Sequence, residues 1–257
     1  LDNGIDYICL NSLLSNLYSY PYSFGAGYTA NLSGDYLYLG TNRGLYYTKY
    51  PVHFSDVQPD IHQIPQLSGQ VWNLNRIGND LFCLHDRGVF LLKGETIKRI
   101  GNITGVWNCK PFLNNPGKAL LGMYDGIFII QKENGEWKPL KRLEGLYDSS
   151  ENFEQESSTV FWIQNNDKGL IRLEIDTINY RVTKTSYYGK EKGLPSNKSI
   201  YVNKIKGRIY FTTPKGIYVY NKSKDLMEES HEMDALLNGV KSYLKLYEYK
   251  NHIFSLS

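Results

Sequence analysis

The sequence predicts an all-β fold, a β-propeller of about six four-stranded blades, and three observations carry the prediction. First, a glycine that follows a polar residue and precedes an apolar one recurs at Gly4, Gly44, Gly88, Gly126, Gly169 and Gly216. The successive spacings are 40, 44, 38, 43 and 47 residues, the period of a four-stranded blade. Second, each of these glycines is flanked by short runs of β-branched and aromatic residues. Third, an aromatic residue recurs upstream of the glycine in most repeats.

The unit is clearest over residues 193–220. Gly193-Leu194-Pro195-Ser196-Asn197 opens it as a turn. The runs Ser199–Val202, Ile209–Phe211 and Ile217–Tyr220 follow, separated by Lys206-Gly207 and by Thr213-Pro214-Lys215-Gly216. Short apolar runs separated by Gly, Pro and Asn turns read as an antiparallel meander. Gly216 is placed where the hairpin needs a positive φ, which glycine adopts without a steric penalty.

The same elements recur in order, here termed a to d. Strand b precedes the glycine: Tyr36–Gly40, Leu81–Leu84, Ala119–Gly122, Val160–Ile163, Arg208–Phe211 and His252–Ser255. Strand c follows it, beginning with Ile5–Ile8 and ending with Ile217–Tyr220. Strand a carries the aromatic column Tyr28, Trp72, Trp107, Phe153, Tyr201 and Tyr243. Regular recurrence predicts that these rings wedge neighbouring blades together. Strand d varies most, with Glu95–Ile100, Glu136–Leu140 and Asn179–Ser186 as its clearer copies. Residues 225–237 carry a helical hint, but their charge pattern favours a d strand and connector.

The chain starts just before a strand c and stops within a strand b. Residues 1–257 therefore read as five complete repeats with a half-repeat at each end, and as a piece of a longer protein. The end halves could pair as one composite blade, or both could be cut from a larger array.

Composition narrows the function. Tyr 22 and Phe 10 against Met 3 favour strands over helices. A net charge of +3 with mixed signs is no footprint for nucleic acid. No apolar stretch reaches the length of a membrane span. Cys9, Cys83 and Cys109 are too few and wrongly spaced for a disulfide framework or a zinc site, and Cys83 is expected as a small buried hydrophobe. No metal-binding histidine motif, nucleophile elbow or P-loop is present, and no cofactor is expected.

Tyr38-Leu39-Gly40-Thr41-Asn42-Arg43-Gly44-Leu45 is similar to the core of the two-component regulator propeller repeat, as is the Gly-Leu-Pro-Ser-Asn turn at residues 193–197. The resemblance extends over nearly the whole chain. Two departures stand out: the Trp that often opens strand b is replaced in every copy, and Gly-Thr survives in full only at Gly40-Thr41. In that family the repeats form the periplasmic sensor region of Bacteroidetes hybrid two-component regulators, many of which sense glycans. The resemblance thus implies a non-catalytic, extracytoplasmic sensor with an oligosaccharide ligand. Its partners would be other domains of the same regulator or a second copy of the chain. An enzyme acting on carbohydrate and a plain interaction scaffold are the alternatives.

Binding residues concentrate on loops held by a rigid scaffold, and the b–c turns share one rim of a propeller. They place Arg43, His85, Asp86, Arg87, Tyr124, Asp125, Lys168 and Lys215 there as candidate ligand contacts. His85 is expected as a solvated turn residue. With Asp86 and Asp125 it is also the nearest approach to a catalytic set.

Overall fold

The computed structural model describes residues 24–52, 60–93, 96–237, 245–250 and 252–256. The expected strand at Ile5–Ile8, with Gly4, Cys9 and Tyr243, lies outside them.

Five four-stranded antiparallel sheets follow one another along the chain, each a simple meander. Blade 1 comprises β1 (Gly27–Ser33), β2 (Tyr36–Thr41), β3 (Gly44–Lys49) and β4 (His62–Ser68). Blade 2 comprises β5 (Val71–Ile77), β6 (Asp80–His85), β7 (Gly88–Lys93) and β8 (Thr96–Arg99). Blade 3 comprises β9 (Val106–Phe112), β10 (Asn115–Met123), β11 (Gly126–Glu133) and β12 (Glu136–Arg142). Blade 4 comprises β13 (Phe153–Gln155), β14 (Val160–Asn165), β15 (Gly169–Asp176) and β16 (Arg181–Tyr188). Blade 5 comprises β17 (Tyr201–Ile205), β18 (Arg208–Thr213), β19 (Gly216–Asn221) and β20 (Leu226–Glu229). A two-stranded sheet of β21 (Lys245–Tyr249) and β22 (His252–Leu256) follows.

The stretch 225–237 divides in two. Its first part is the d strand β20, and its second is the short helix α1 (His231–Leu236), whose Ser230 hydroxyl accepts from the Met233 N–H at 3.4 Å. An N-cap serine immediately before the turn is the local reason the helix starts there.

The core lies between sheets. In β6 the residues Leu81 to Leu84 are all completely buried. Leu81 and Cys83 pack with Tyr38, Leu45 and Leu67 of blade 1, while Phe82 and Leu84 pack with Val106, Ala119 and Leu121 of blade 3. Side chains alternate faces along a strand, so a strand clamped between two sheets must be apolar on both. That is why the b runs read as unbroken hydrophobic stretches. Each such Leu or Phe contributes about 1.5–3 kcal/mol by leaving water.

The hairpin glycines adopt the backbone their spacing called for. Gly44, Gly88, Gly126, Gly169 and Gly216 have φ of 155°, 153°, 135°, 85° and 153°. At Gly126 a Cβ would also meet the Leu146 carbonyl oxygen at 2.6 Å, so the connector to the next blade passes over the turn at backbone distance.

The aromatic column needs correcting. It touches from blade to blade, but it is not the buried wedge. Tyr28 is 46% exposed, and Trp72 and Trp107 are half-buried. Strand pairing also breaks the column after blade 3. Thr29, Asn73 and Asn108 pair with Gly40, Leu84 and Gly122, each one residue after a ring. In blade 4 the b–c loop is one residue longer, since Asn165 pairs with Gly169 where His85 pairs with Gly88. There Ile163 pairs with Phe153, so Glu151 holds the ring position and Phe153 is fully buried between blades. In blade 5 Thr212 pairs with Tyr201, which puts buried Ile200 at that position. Counting back from the glycine could not register a change in loop length.

Candidate functional site

The first strand of each sheet faces a shared central cavity of about 790 Å³, bounded by residues of β1, β5, β9, β13, β17 and β21. These are edge strands, whose outward peptide groups need partners. Neighbouring side chains supply them. The Thr29 hydroxyl accepts from the Leu74 N–H at 3.2 Å, and Asn203 Oδ1 accepts from the Leu246 N–H at 2.8 Å. Gln155 accepts from the Leu113 N–H at 3.0 Å and donates to the Pro111 carbonyl at 2.9 Å. Polar residues on the inner strands therefore stitch the blades together.

Three inner strands depart from regular pairing at the same place. The register shifts between Gly27 and Thr29, between Val71 and Asn73, and between the partners Val106 and Asn108. The residue left over by each shift is Tyr28, Trp72 or Trp107. A β-bulge of this kind sets two residues against one and re-aims a side chain. Here it turns three rings of consecutive blades toward the cavity. Blades 4 and 5 pair their first two strands without a shift.

The rings form a continuous arc. Tyr28 stacks on Trp72 with centroids 5.8 Å apart and planes 6° apart, Trp72 lies 4.6 Å from Trp107, and Trp107 meets Tyr124 edge-on at 4.6 Å. Tyr124 comes from the b–c turn of blade 3 and is half exposed. Its ring covers Gly105, where a Cβ would sit 2.4 Å from it. The arc ends at blade 4 with Glu151. Burial is the main cause raising the Tyr124 phenol above its ordinary value, with Glu151 and Asp86 adding to it. Asn73, Asn75, Asn108 and Asn152 line the cavity below the rings, and the buried Asn75 Oδ1 has no hydrogen-bond partner.

The other candidate residues sit on the rim, and most are engaged with neighbouring connectors. Arg87 donates to the Gln66 and Ser68 carbonyls. Asp125 pairs with Arg142 at 2.6 Å. Lys168 pairs with Asp148 at 2.7 Å and lies 5.8 Å from the centre of the Tyr187 ring. Arg43 is exposed, and its carbonyl accepts from the Gly69 N–H at 3.1 Å. Lys215 is exposed, with its backbone N–H donated to the Thr213 hydroxyl at 3.2 Å. Exposed pairs of this kind contribute about 0–1 kcal/mol, so they orient turns more than they stabilise the fold.

His85 is not a solvated turn residue: none of it is exposed. Its Nδ1 accepts the Arg87 N–H at 3.1 Å. Thr41 accepts from the Arg43 and Gly44 N–H groups at 3.0 and 3.2 Å, Asn165 from those of Asp167 and Lys168 at 3.0 and 2.9 Å, and Thr213 from Lys215. His85 is thus the blade 2 version of the side-chain cap that closes the b–c turns of blades 1, 4 and 5, while blade 3 carries Met123 at the equivalent position. Burial is the main cause holding its pKa below the ordinary histidine value, against the opposing pull of the Asp86 carboxylate. Sequence reasoning could have found this role, because His85 aligns with Thr41 and Thr213 three residues before the hairpin glycine.

Lower in the cavity Lys110 pairs with Glu154, with 24% and 16% of their side chains exposed. Lys204 donates to the Gln155 carbonyl at 2.7 Å. Among the described residues no cluster of His, Cys, Asp and Glu is arranged to hold a metal ion.

Sequential four-stranded meanders around one cavity, joined through their inner strands, define a β-propeller. No family model matches the sequence, and no curated protein matches it. Solved structures do. The extracellular domain of a protein assigned as a hybrid two component system of B. thetaiotaomicron aligns over 91% of this chain and 32% of its own length, with a TM-score of 0.62 at 14% identity. The extracellular domain of a protein assigned as a one component system of the same organism aligns over 90% and 33%, with a TM-score of 0.63 at 11% identity. The WD40 β-propeller domain of Doa1 aligns over 78% and 66%, with a TM-score of 0.52 at 16% identity. At these identities the likeness is one of fold. The chain spans about a third of the two extracellular domains. No helix among the described residues is long and apolar enough to cross a membrane.

Proposed function

We propose that this chain is a non-catalytic sensor module from the extracytoplasmic, periplasmic part of a two-component type regulator, and that its ligand is an oligosaccharide held on the Tyr28–Trp72–Trp107–Tyr124 arc. The observation that carries the reading is the bulge repeated in three consecutive inner strands, which presents three rings that regular pairing would have left in the ladder. Flat rings suit the C–H faces of sugars, and the asparagines beneath them suit hydroxyls. Binding sites of this kind combine apolar walls with a few polar groups that fix orientation. Extracellular domains of regulators among the fold neighbours supply the context.

Signalling would require unequal affinity of the ligand for two arrangements of this propeller with its neighbours, whether other domains of the regulator or a second copy of the chain. The test is calorimetric titration of the chain with neutral oligosaccharides, with product analysis of each mixture. Saturable binding without turnover, lost in the W72A/W107A double variant, is the expected result. Turnover would move the chain to the enzymes. Binding indifferent to the double variant would remove the arc from the reading.

A further inference from the structure

We infer that the cavity below the ring arc is a subsite for an anionic group, a carboxylate or sulfate carried by a sugar unit of the ligand, with Lys245 as its principal contact and Lys110 beside it. This rests on the saccharide reading above and specifies the class of saccharide.

Lys110, Glu154 and Lys245 line the same cavity as the rings, on β9, β13 and β21. Lys110 is two residues beyond Asn108 on its strand, so it sits one step deeper than the ring layer. Its ammonium is paired with Glu154 and lies 5.7 Å from the centre of the Phe153 ring. Lys245 is half-buried in the cavity wall and makes no ion pair among the described residues. Its ammonium stands 5.1 Å from the centre of the Tyr247 ring. Lys204 approaches from β17, bonded to the Gln155 carbonyl at 2.7 Å. Burial is the main cause holding the Lys110 pKa below the ordinary lysine value, the Glu154 carboxylate opposes it, and Lys245 and Lys204 add to the lowering as like charges.

An ammonium held in a partly enclosed cavity without a counter-ion is costly unless an anion completes it. Glu154 neutralises one lysine, and nothing among the described residues neutralises Lys245. Directly above lies a ring platform of sugar-binding character. Asn75, whose Oδ1 lacks a partner, lines the cavity two residues beyond Asn73, at the same step as Lys110, and can orient a hydroxyl of the same sugar. Glu151 carries the remaining negative charge of the lining. It belongs to the ring layer of blade 4, two residues before Phe153, and so lies away from the lysine step.

The test is calorimetric titration of the full chain with three probes: trigalacturonate, its neutral methyl ester, and a sulfated galactotriose. We expect at least one acidic probe to bind about tenfold or more tightly than the ester, the preference shrinking as salt is raised. Lys245→Gln should abolish that preference while leaving ester binding in place. Preference for the carboxylated or for the sulfated probe identifies the anion, and either supports the subsite. Equal binding of all three, or a preference that survives Lys245→Gln, overturns the subsite and leaves the stacking reading standing. Binding of none, with Lys245→Gln folded by its melting curve, overturns both.

Discussion

Trp72 and Trp107 stand on neighbouring blades with ring centroids 4.6 Å apart, each at the left-over residue of a bulge in an inner strand. Rings that lined the inter-blade core would be enclosed, yet these are only half-buried and face a cavity. Trp162, one position along a b strand, shows the contrast. It is 1% exposed, packs against Phe211 and Tyr188, and donates its indole N–H to Glu156 at 2.8 Å.

Truncation should therefore separate the two classes of tryptophan. Trp162→Ala is expected to cost about 3–5 kcal/mol, and Trp72→Ala about 1–2 kcal/mol because part of its surface is already wet. Chemical denaturation of both variants decides the matter, and equal losses would return Trp72 to the core.

Glycine substitutions should rank by what the new Cβ meets. Gly126→Ala combines φ of 135° with a contact of 2.6 Å to the Leu146 carbonyl, whereas Gly135→Ala has φ of 81° and open space. The first is expected to lose about 3 kcal/mol or more and the second about 1 kcal/mol. Similar melting curves for the two variants would contradict the close passage of the connector over the turn.

The turn caps should be separable from packing. Thr213 is fully buried, donates to the Gly216 carbonyl at 2.9 Å and accepts from Lys215. Thr213→Val keeps the shape and removes the hydroxyl, and should lose about 1–2 kcal/mol. Thr213→Ser, which retains the cap, should recover part of that loss.

Acid should weaken the fold through His85. Its pKa in the folded chain is depressed, so the unfolded chain binds more protons over the window below the ordinary histidine value. The contribution of neutral His85 is complete above that value and declines as pH falls from about 7 toward 5. His85→Asn places the side chain that caps the equivalent turn at Asn165. It should flatten the dependence of melting temperature on pH in that range, and an unchanged slope would assign the dependence to other groups.

The repeat was legible without coordinates because its signals are local. A hairpin glycine and a doubly apolar b strand each answer to backbone or burial requirements within one unit. They name the fold, the meander order and the position of most strands, and they place Tyr124 and the charged turns on a common rim. Where the rings point was a different matter. Tyr28, Trp72 and Trp107 differ from Phe153 in pairing, not in residue type, and a bulge leaves no fixed mark on composition.

What the chain alone determined is the tandem blade and its phase, since hydrogen-bonded hairpins are specified by neighbours in sequence. What only the tertiary structure decided is which residues meet across blades: the ring arc, the lysines of β9, β17 and β21, and the burial of His85. The ring contacts between blades join residues 35 or more positions apart, and two extra residues in blade 4, one in the b–c turn and one in the a–b hairpin, were enough to exchange an aromatic for Glu151 at the cavity wall.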